Sequence, residues 1–337
     1  MTRNLKIAAL GIEHFHIFGM AGNLIERGAE FVGWWNDGDA QPLEKFARLF
    51  PNVPRVMDRD EILNNPDIDL ILVADIPARR AGLAIEAMEA GKDVMADKPG
   101  CTTLEQLAAL REAQARTGRI WSVDFSERFE VPCVTRAAEL VDDGVIGKVV
   151  QTAGFGPHRL NKPTRPDWFF DRGAYGGVLT DIASHQIDQF LYFTGSTDAE
   201  IATACVRNYA NPDTPGLQDF GELVLRNDHA HGYVRVDWYT PDALPNWGDG
   251  RLTILGTKGY IELRKYVDIA NPAGTDHLFL VTGDRYEKID CSDAGLPYFD
   301  RLRYDILNRT ETAMPQEHCF KVMELAIKAQ MLAEGSG

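Results

Sequence analysis

The chain has 337 residues, of which 45% are hydrophobic and 25% are charged, and its formal net charge is −15. This length favours two domains, and an acidic chain without a Lys/Arg cluster argues against nucleic acid or an anionic membrane as a partner. No apolar run approaches the roughly 20 residues of a membrane-spanning helix, and the first residues do not resemble a signal peptide. Because the five cysteines are scattered and lack a CxxC pair, we expect reduced thiols and a cytoplasmic location.

The first third of the chain alternates short apolar segments with helical patterns. The predicted strands are LKIAAL, EFVGWW, DLILVA, DVMA and RIWSV, and a helical pattern lies between each neighbouring pair. Such alternation is typical of βαβ units, in which helices cover both faces of a parallel sheet. We therefore predict a doubly wound α/β domain over residues 1–123.

The pattern changes after about residue 123. A helix, VPCVTRAAELVDDG, precedes the strand KVVQTAGFG, a polar loop with Pro and Trp, and the helical pattern VLTDIASHQIDQFLYFTG. Between about 200 and 290 the chain reads as strands in series, which predicts a large, mostly antiparallel open sheet. We expect an α+β domain over residues 124–315 and a final helix within residues 316–337.

The segment GIEHFHIFG follows the first predicted strand, where a nucleotide-binding α/β protein carries its G-x-G-x-x-G loop. Gly11 holds the first glycine position, but Glu13 and His16 replace the second and third. The helix that follows offers free N–H groups and the positive end of its dipole to a pyrophosphate. The acidic position after the second strand falls on Asn36 or Asp37, and Asp37 could accept hydrogen bonds from ribose hydroxyls. No Arg or Lys stands beside Asp37 in the sequence, which favours NAD over NADP; the alternative is a solvated turn.

His14 and His16 are separated by one residue. On a strand they share a face, and on a helix they diverge. A metal site would need a third ligand nearby. We therefore expect no metal ion here, and expect one histidine to pack under the dinucleotide while the other lines the cleft.

Two further segments carry candidate chemistry. In DKPG, Lys98 directly follows a predicted parallel strand, at the sheet edge where such proteins bind ligands; the alternative is an exposed loop lysine. In GGVLTDIASHQIDQF, Asp181 and His185 are four residues apart and would share a helix face, with Asp188 one turn on. An Asp beside a His suits acid–base catalysis. A metal site formed by Asp181, His185 and Asp188, or a purely structural Asp181, are the alternatives.

Together these segments resemble the Gfo/Idh/MocA family of NAD(P)-dependent oxidoreductases along nearly the whole chain. The resemblance rests on Gly11, on DKP where the family has EKP, on the Gly176–Gly177 pair, and on the spacing of Asp181 and His185. It implies a Rossmann domain that binds NAD, with NADP as the alternative, through a defined set of residues. These are Gly11, Ile12, Glu13, His14, His16, Asn36, Asp37, Ala74, Asp97 and Lys98.

The resemblance also implies roles for three side chains. His185 would be the general base for alcohol oxidation, Lys98 would hydrogen-bond the reacting oxygen, and Asp181 would hold the substrate or His185. The second domain's sheet would form a dimer or tetramer, and the final helix would pack back on the first domain.

The segment at 156–173 is expected to line the substrate cleft. Its candidate substrate-binding residues are His158, Arg159, Arg165 and Trp168, since Arg suits carboxylates or hydroxyls and Trp suits the apolar face of a sugar; a loop packed by its own aromatics is the alternative. The expected substrates are sugars, cyclitols, related polyols or sugar acids. Three other functions are compatible with the sequence: an NAD-dependent glycoside hydrolase or lyase using transient redox, a non-catalytic dinucleotide and sugar sensor, and a metal enzyme using His14, His16 and Asp188.

Overall fold

The computed structural model describes residues 4–270 and 273–335, which fall into two compact units. The first unit runs to Asp124 and includes Gly173–Gly176 and Pro297–Met323. The second consists of Phe125–Arg172, Gly177–Leu296 and the chain from Glu324 onward. The domain bounds derived from the sequence stay predictions, and their residues 1–3, 271–272 and 336–337 lie outside the described residues.

The described residues form thirteen strands and twelve α-helices. The strands are β1 (Lys6–Ile12), β2 (Glu30–Trp35), β3 (Leu70–Ala74), β4 (Asp93–Asp97), β5 (Trp121–Asp124), β6 (Val149–Pro157), β7 (Glu200–Arg207), β8 (Phe220–Arg226), β9 (His231–Asp237), β10 (Arg251–Gly256), β11 (Gly259–Arg264), β12 (His277–Thr282) and β13 (Tyr286–Ile289). The helices are α1 (Ile17–Glu26), α2 (Leu43–Leu49), α3 (Asp60–Leu63), α4 (Pro77–Glu89), α5 (Leu104–Thr117), α6 (Ser126–Phe129), α7 (Pro132–Asp142), α8 (Arg172–Tyr175), α9 (Val178–Asp181), α10 (Ala183–Thr194), α11 (Pro297–Asn308) and α12 (Gln316–Gly335), with 3₁₀ turns at Lys162–Thr164 and Asp167–Phe170.

The first unit contains a five-stranded parallel sheet in the order β2-β1-β3-β4-β5. The central strand β3 is buried at every residue, as its continuous apolar sequence predicts for a strand covered on both faces. Helix α5 is preceded by the N-cap Thr103, whose side chain accepts a hydrogen bond from the N–H of Gln106, and is followed by the C-cap Gly118, whose φ is 63°. The predicted doubly wound parallel sheet is confirmed.

The C-terminal part of this unit closes against β5 and β4. The N–H of Trp121 donates to Gln316 Oε1 at 2.8 Å, and the ring of Phe320 stacks on Trp121 with centroids 5.0 Å apart. Arg309 donates to Asp93 Oδ2 at 2.7 Å. Residues 297–323 therefore supply hydrogen bonds and apolar cover to this side of the parallel sheet.

The second unit contains an eight-stranded sheet in the order β13-β12-β11-β10-β6-β9-β8-β7. Every neighbouring pair is antiparallel except β6 and β9, which are parallel. Alternate residues of β10 and β11, such as Ile254 and Ile261, join a buried apolar cluster with Val134 and Ala137 of α7. The predicted large, mostly antiparallel sheet is confirmed.

Several elements differ from the sequence-based expectation. Helix α11, strand β13 and the four-residue helices α3, α6 and α8 were not predicted. The single helix expected over VLTDIASHQIDQFLYFTG is two helices, α9 and α10. At the break, the Ser184 hydroxyl donates to the carbonyl of Asp181, and the N–H of His185 bonds to the carbonyl of Ile182. A side-chain bond to the backbone and a tight three-residue turn thus interrupt the regular helical ladder.

Within the described residues, no helix combines the length and apolar character needed to cross a membrane. All five cysteines are free thiols, and four of them are buried.

Candidate functional site

The loop between β1 and α1 is built around Gly11. Its φ is +79°, a conformation that side-chain-bearing residues rarely adopt, and an added Cβ would lie 2.4 Å from Cβ of Asp75. Two independent constraints therefore require glycine here. The loop passes close over the end of β3 at Gly11. The first glycine of a dinucleotide-binding loop likewise permits a tight turn.

Side chains and carbonyls of the protein hold the first N–H groups of this loop. The N–H of Ile12 donates to Asn36 Oδ1 at 2.5 Å, while those of Glu13 and His14 donate to the carbonyl of Ala74 at 2.9 and 3.1 Å. Asn36 and Ala74, both predicted to contact the cofactor, thus shape the loop. Since these three donors are engaged, backbone donation to an anion must come from N–H groups farther toward α1.

The rim beside β2 carries two arginines that the sequence neighbourhood does not reveal. Arg79 lies 3.6 Å from Asp37, and Arg55 donates to the carbonyls of Asn36 and Gly38 at 3.3 and 3.1 Å. The expectation that no basic residue stands beside Asp37 is wrong for the folded chain. Helix α4 brings Arg79 to this rim, and the segment after α2 brings Arg55. The Asp37 side chain itself is 69% exposed.

Asp75 is a buried residue that sequence reasoning missed. It directly follows β3, and burial raises its pKa, although its hydrogen bond from the N–H of Ile76 and the nearby Arg79 and Arg80 oppose the rise. Its position at the carboxyl end of a central parallel strand was the available signal.

His14, His16 and Asp97 form a compact cluster at the ends of β1 and β4. The Nδ1 atoms of His14 and His16 lie 2.8 Å from Oδ2 and Oδ1 of Asp97, and the two rings are 4.5 Å apart. Burial lowers the pKa of His14 to about 4. Burial opposes ionisation of Asp97, but Arg80 and the two imidazoles outweigh it and hold the pKa of Asp97 well below its ordinary value.

Arg80, the second residue missed from the sequence, anchors the segment that carries Lys98. The guanidinium donates to Asp97 Oδ2 at 2.9 Å, to the carbonyl of Pro99 at 3.1 Å and to that of Asp75 at 2.7 Å. Lys98 is only 3% exposed, and the peptide bond to Pro99 is cis. An arginine on the buried face of α4 is the signal that could have identified this anchor, since arginine is rarely fully buried unless paired.

In the second unit, buried side chains fix the segment that carries Asp181 and His185. Gln330 accepts from the N–H of Leu179 at 2.9 Å, and Gln218 accepts from that of Val178 at 3.0 Å. These contacts satisfy the first N–H groups of α9. Asp181 and His185 are 9% and 1% exposed.

A buried polar network holds helix α10. Glu127 accepts from Gln186 at 2.9 Å and from Lys265 at 2.6 Å, and Lys265 also donates to Gln189. On the same helix, both oxygens of Asp188 accept from Arg128, at 2.6 and 2.7 Å.

The ion pair with Arg128 engages both oxygens of the Asp188 carboxylate. This pairing argues against both predicted metal sites that used Asp188 as a ligand. Among the described residues, Asp181, His185 and Asp188 do not converge as ligands, and the set that does converge near His14 and His16 contains Asp97.

The predicted substrate loop is held by its own polar and aromatic side chains. Arg159 donates to the carbonyls of Pro241 and Leu244, and Arg165 donates to those of Arg159 and Leu160. Arg165 also lies over the rings of Phe169 and Trp238, and burial lowers its pKa.

His158 packs on Trp238 and Trp247, with ring centroids 5.3 and 4.5 Å away, and Trp168 packs beside Phe169. The predicted substrate segment 156–173 therefore shares one aromatic cluster with residues 238–251. Within the second unit the structure brings together His158, Arg159 and Arg165, and it places Trp168 beside their aromatic neighbours. Lys98 and the predicted cofactor residues belong to the first unit.

Comparison with known proteins matches both halves of the chain to one family. Residues 10–125 match the model of an oxidoreductase family with an NAD-binding Rossmann fold, and residues 134–262 match the GFO/IDH/MocA C-terminal domain. A crystal structure of a putative oxidoreductase from Erwinia carotovora atroseptica is 45% identical, covers 98% of this chain and 99% of its own, and has a TM-score of 0.95.

Two curated relatives are more distant. Scyllo-inositol 2-dehydrogenase (NAD⁺) of Bacillus subtilis is 28% identical over 60% of this chain and 57% of its own length. Levoglucosan dehydrogenase of Pseudarthrobacter phenanthrenivorans is 31% identical over 57% of this chain and 50% of its own length. The matches thus span only about half to three fifths of these relatives. With both halves matched and a full-length relative at 45% identity, the chain belongs to the Gfo/Idh/MocA family of oxidoreductases.

Proposed function

We propose that this protein is a dehydrogenase that uses a nicotinamide dinucleotide to oxidise a hydroxyl carbon of a sugar, cyclitol or related polyol or sugar acid, or to reduce the corresponding carbonyl. The observation that carries the proposal is the buried Lys98, which directly follows β4 and is anchored by Arg80 in a sheet whose β1–α1 loop retains Gly11. Ligands of open parallel sheets bind beyond the carboxyl ends of the strands.

The chain's own residues would bind, orient and move protons. The close-packed Gly11 turn and the start of α1 fit a pyrophosphate, and the exposed Asp37 would accept from a ribose hydroxyl. When bound, the nicotinamide supplies or accepts the hydride. Lys98 would donate a hydrogen bond to the reacting oxygen and stabilise its negative charge.

His185 would take the hydroxyl proton during oxidation and return it during reduction. Asp181 would orient the substrate or His185. The firm anchoring of α9 by Gln218 and Gln330 and of α10 by Glu127 supports these roles, because proton transfer requires a fixed donor–acceptor geometry.

The substrate class is supported by the relatives, which include dehydrogenases named for scyllo-inositol, levoglucosan and D-xylose. The aromatic cluster around His158 and Trp247 is suited to the apolar face of a sugar ring. We favour NAD because of the carboxylate of Asp37, although Arg79 beside it could instead pair with a 2′-phosphate.

The first test is calorimetric titration of the cofactor-stripped protein with NAD⁺ and NADP⁺, followed by a panel of sugars, cyclitols and sugar acids read by the absorbance of reduced nicotinamide. We expect one dinucleotide to bind and a member of the panel to be oxidised. Binding with glycoside cleavage but no net reduction would instead identify the transient-redox hydrolase. Binding without any reaction would favour a sensor.

The second test substitutes the proposed catalytic side chains. Lys98→Ala and His185→Ala should each lower turnover by roughly 10²–10⁴-fold while dinucleotide binding persists, because each removes one stabilising or proton-transferring group. The matched controls are Lys258→Ala and His231→Ala, which alter exposed residues of the second unit. Turnover equal to that of the unsubstituted protein in both catalytic variants would refute the assigned roles.

A further inference from the structure

We propose that His14, His16 and Asp97 form a binding site for one divalent transition-metal ion of the zinc type. The sequence alone predicts no metal, because it shows two histidines and no third ligand. The fold supplies that ligand: the loop after β1 and the end of β4 bring one ligand atom from each residue within 4.8 Å of the others.

The local backbone explains why the two histidines converge. They lie neither on a strand nor within a helix, but in the turn between β1 and α1, with His16 at the N-cap position of α1. In this turn the two rings stand edge to face at 79° and approach opposite oxygens of Asp97. Alternation along a strand or rotation along a helix therefore does not apply to this pair.

The two histidines approach opposite oxygens of Asp97. Nδ1 of His16 lies 2.8 Å from Oδ1 and hydrogen-bonds to it, whereas Nδ1 of His14 lies 2.8 Å from Oδ2 and is a buried atom without a hydrogen-bond partner of good geometry. An imidazole nitrogen and a carboxylate oxygen that face each other in this way can both turn their lone pairs to a shared ion. A bound ion would therefore satisfy the His14 nitrogen.

The chemistry of the donors selects the class of ion. Two imidazole nitrogens and one carboxylate oxygen suit Zn²⁺ and its neighbours, whereas Mg²⁺ and Ca²⁺ prefer sites made of oxygen alone. Three protein ligands leave at least one coordination position for water or an anion. The side chains of His14 and His16 are 23% and 29% exposed, so an ion can reach the site from solvent.

The surroundings of Asp97 support a fixed ligand. Its side chain is fully buried, and Arg80 donates to Oδ2 at 2.9 Å while also holding the carbonyls of Asp75 and Pro99. Partners of this kind orient a ligating carboxylate. The charge of Arg80 cancels that of Asp97, so a bound divalent ion would leave the site with a net positive charge of two, which favours an anionic group in the open position.

The experiment is a titration of the chelator-treated, full-length protein, without dinucleotide, with Co²⁺ and with Zn²⁺. Co²⁺ is followed by its visible absorption, which reports ligand type and geometry, and Zn²⁺ by equilibrium dialysis. We expect one ion per chain. Because loss of even an outer-shell partner typically costs roughly 10–100-fold in affinity, His14→Ala and His16→Ala should each weaken binding at least about tenfold.

Two further variants keep the test decisive. Asp97→Asn preserves the shape of the buried side chain and should weaken metal binding. His16→Gln replaces His16→Ala if the alanine variant does not fold, as judged by circular dichroism and melting temperature. His231→Ala, an exposed histidine of the second unit, is the matched control and should bind like the unsubstituted protein. Failure of the unsubstituted protein to bind one ion, or equal affinity in the His16 variants, would overturn the metal site; since no dinucleotide is present, neither outcome bears on the dehydrogenase proposal.

Discussion

Gly11 and Lys98 could be located from the sequence because their positions depend on neighbouring strands alone. The partners of His14, His16 and Asp97 could not be located in this way. Asp97 is 81 residues from His16, and the meeting depends on the exact turn after β1. The role of Arg80 could not be predicted for a similar reason. Its hydrogen bond to Asp97 depends on the packing of α4 against the end of β4.

Gly11 offers a test of the loop at the scale of one atom. Gly11→Ala should destabilise the protein by more than the ~1–2 kcal/mol expected for a left-handed alanine, because its Cβ would also strike Asp75. Gly28→Ala is the matched control: its φ is +83°, but the space around it is open. Urea unfolding of both variants measures the difference, and the Gly11 variant should also bind dinucleotide more weakly. Equal free energies of unfolding would mean that Asp75 moves aside readily.

At the scale of elements, the sequence was most informative where one pattern covered a whole segment. All five strands of the parallel sheet were predicted, since each is short, apolar and followed by a helix. The division between α9 and α10 was not predicted. The Ser184 hydroxyl donates to the carbonyl of Asp181 and so competes with the regular helical hydrogen bonds, and the spacing of hydrophobic residues gives no sign of this bond. Helix α11 could have been found, because its buried Tyr298, Leu302 and Ile306 recur every four residues.

The connection between α11 and α12 depends on one carboxylate. Asp305 accepts from the hydroxyls of Thr310 and Thr312 and from the N–H groups of Thr312 and Ala313. Burial opposes its ionisation, but these donors hold its pKa below the ordinary 3.8. Asp305→Ala should therefore lower the free energy of unfolding by ~1.5–3 kcal/mol at neutral pH.

The pH dependence of that effect has a defined sign. A carboxyl group whose pKa is depressed on folding stabilises the protein above its unfolded pKa, and this contribution disappears as pH falls through the folded value. The difference between the parent and Asp305→Ala should accordingly shrink below about pH 4 in denaturant titrations. Asp300→Ala, which removes an exposed ion pair with Arg27, is the control and should change stability by less than about 1 kcal/mol. A difference that grows toward low pH would contradict the assignment.

At the scale of the whole molecule, we predict a homo-oligomer formed through the sheet of the second unit. On β10 and β11 the buried residues alternate with Leu255 and Tyr260, which pair across the strands and are each 39% exposed. Exposed apolar side chains on an open sheet are typical of a protein–protein contact surface.

Sedimentation velocity tests this prediction. The unsubstituted protein should sediment as a dimer or tetramer, and Leu255→Glu combined with Tyr260→Glu should shift it toward the monomer by placing two like charges at a cross-strand pair. Met57→Glu, at an exposed apolar residue of the first unit, should leave the oligomer intact. A monomeric parent, or an oligomer unaffected by the paired substitution, would exclude this surface.

The contact between Trp121 and Gln316 has a consequence for the order in which the protein can form. The two residues are 195 positions apart, and one belongs to the edge strand of the parallel sheet. A ribosome that has completed β5 must still synthesise the whole eight-stranded sheet before the residues that cover this edge emerge. Until then the nascent first unit carries an uncovered indole and an unpaired strand edge, features that expose a growing chain to aggregation. Completion of the parallel-sheet unit is thus deferred until the whole eight-stranded sheet has been synthesised.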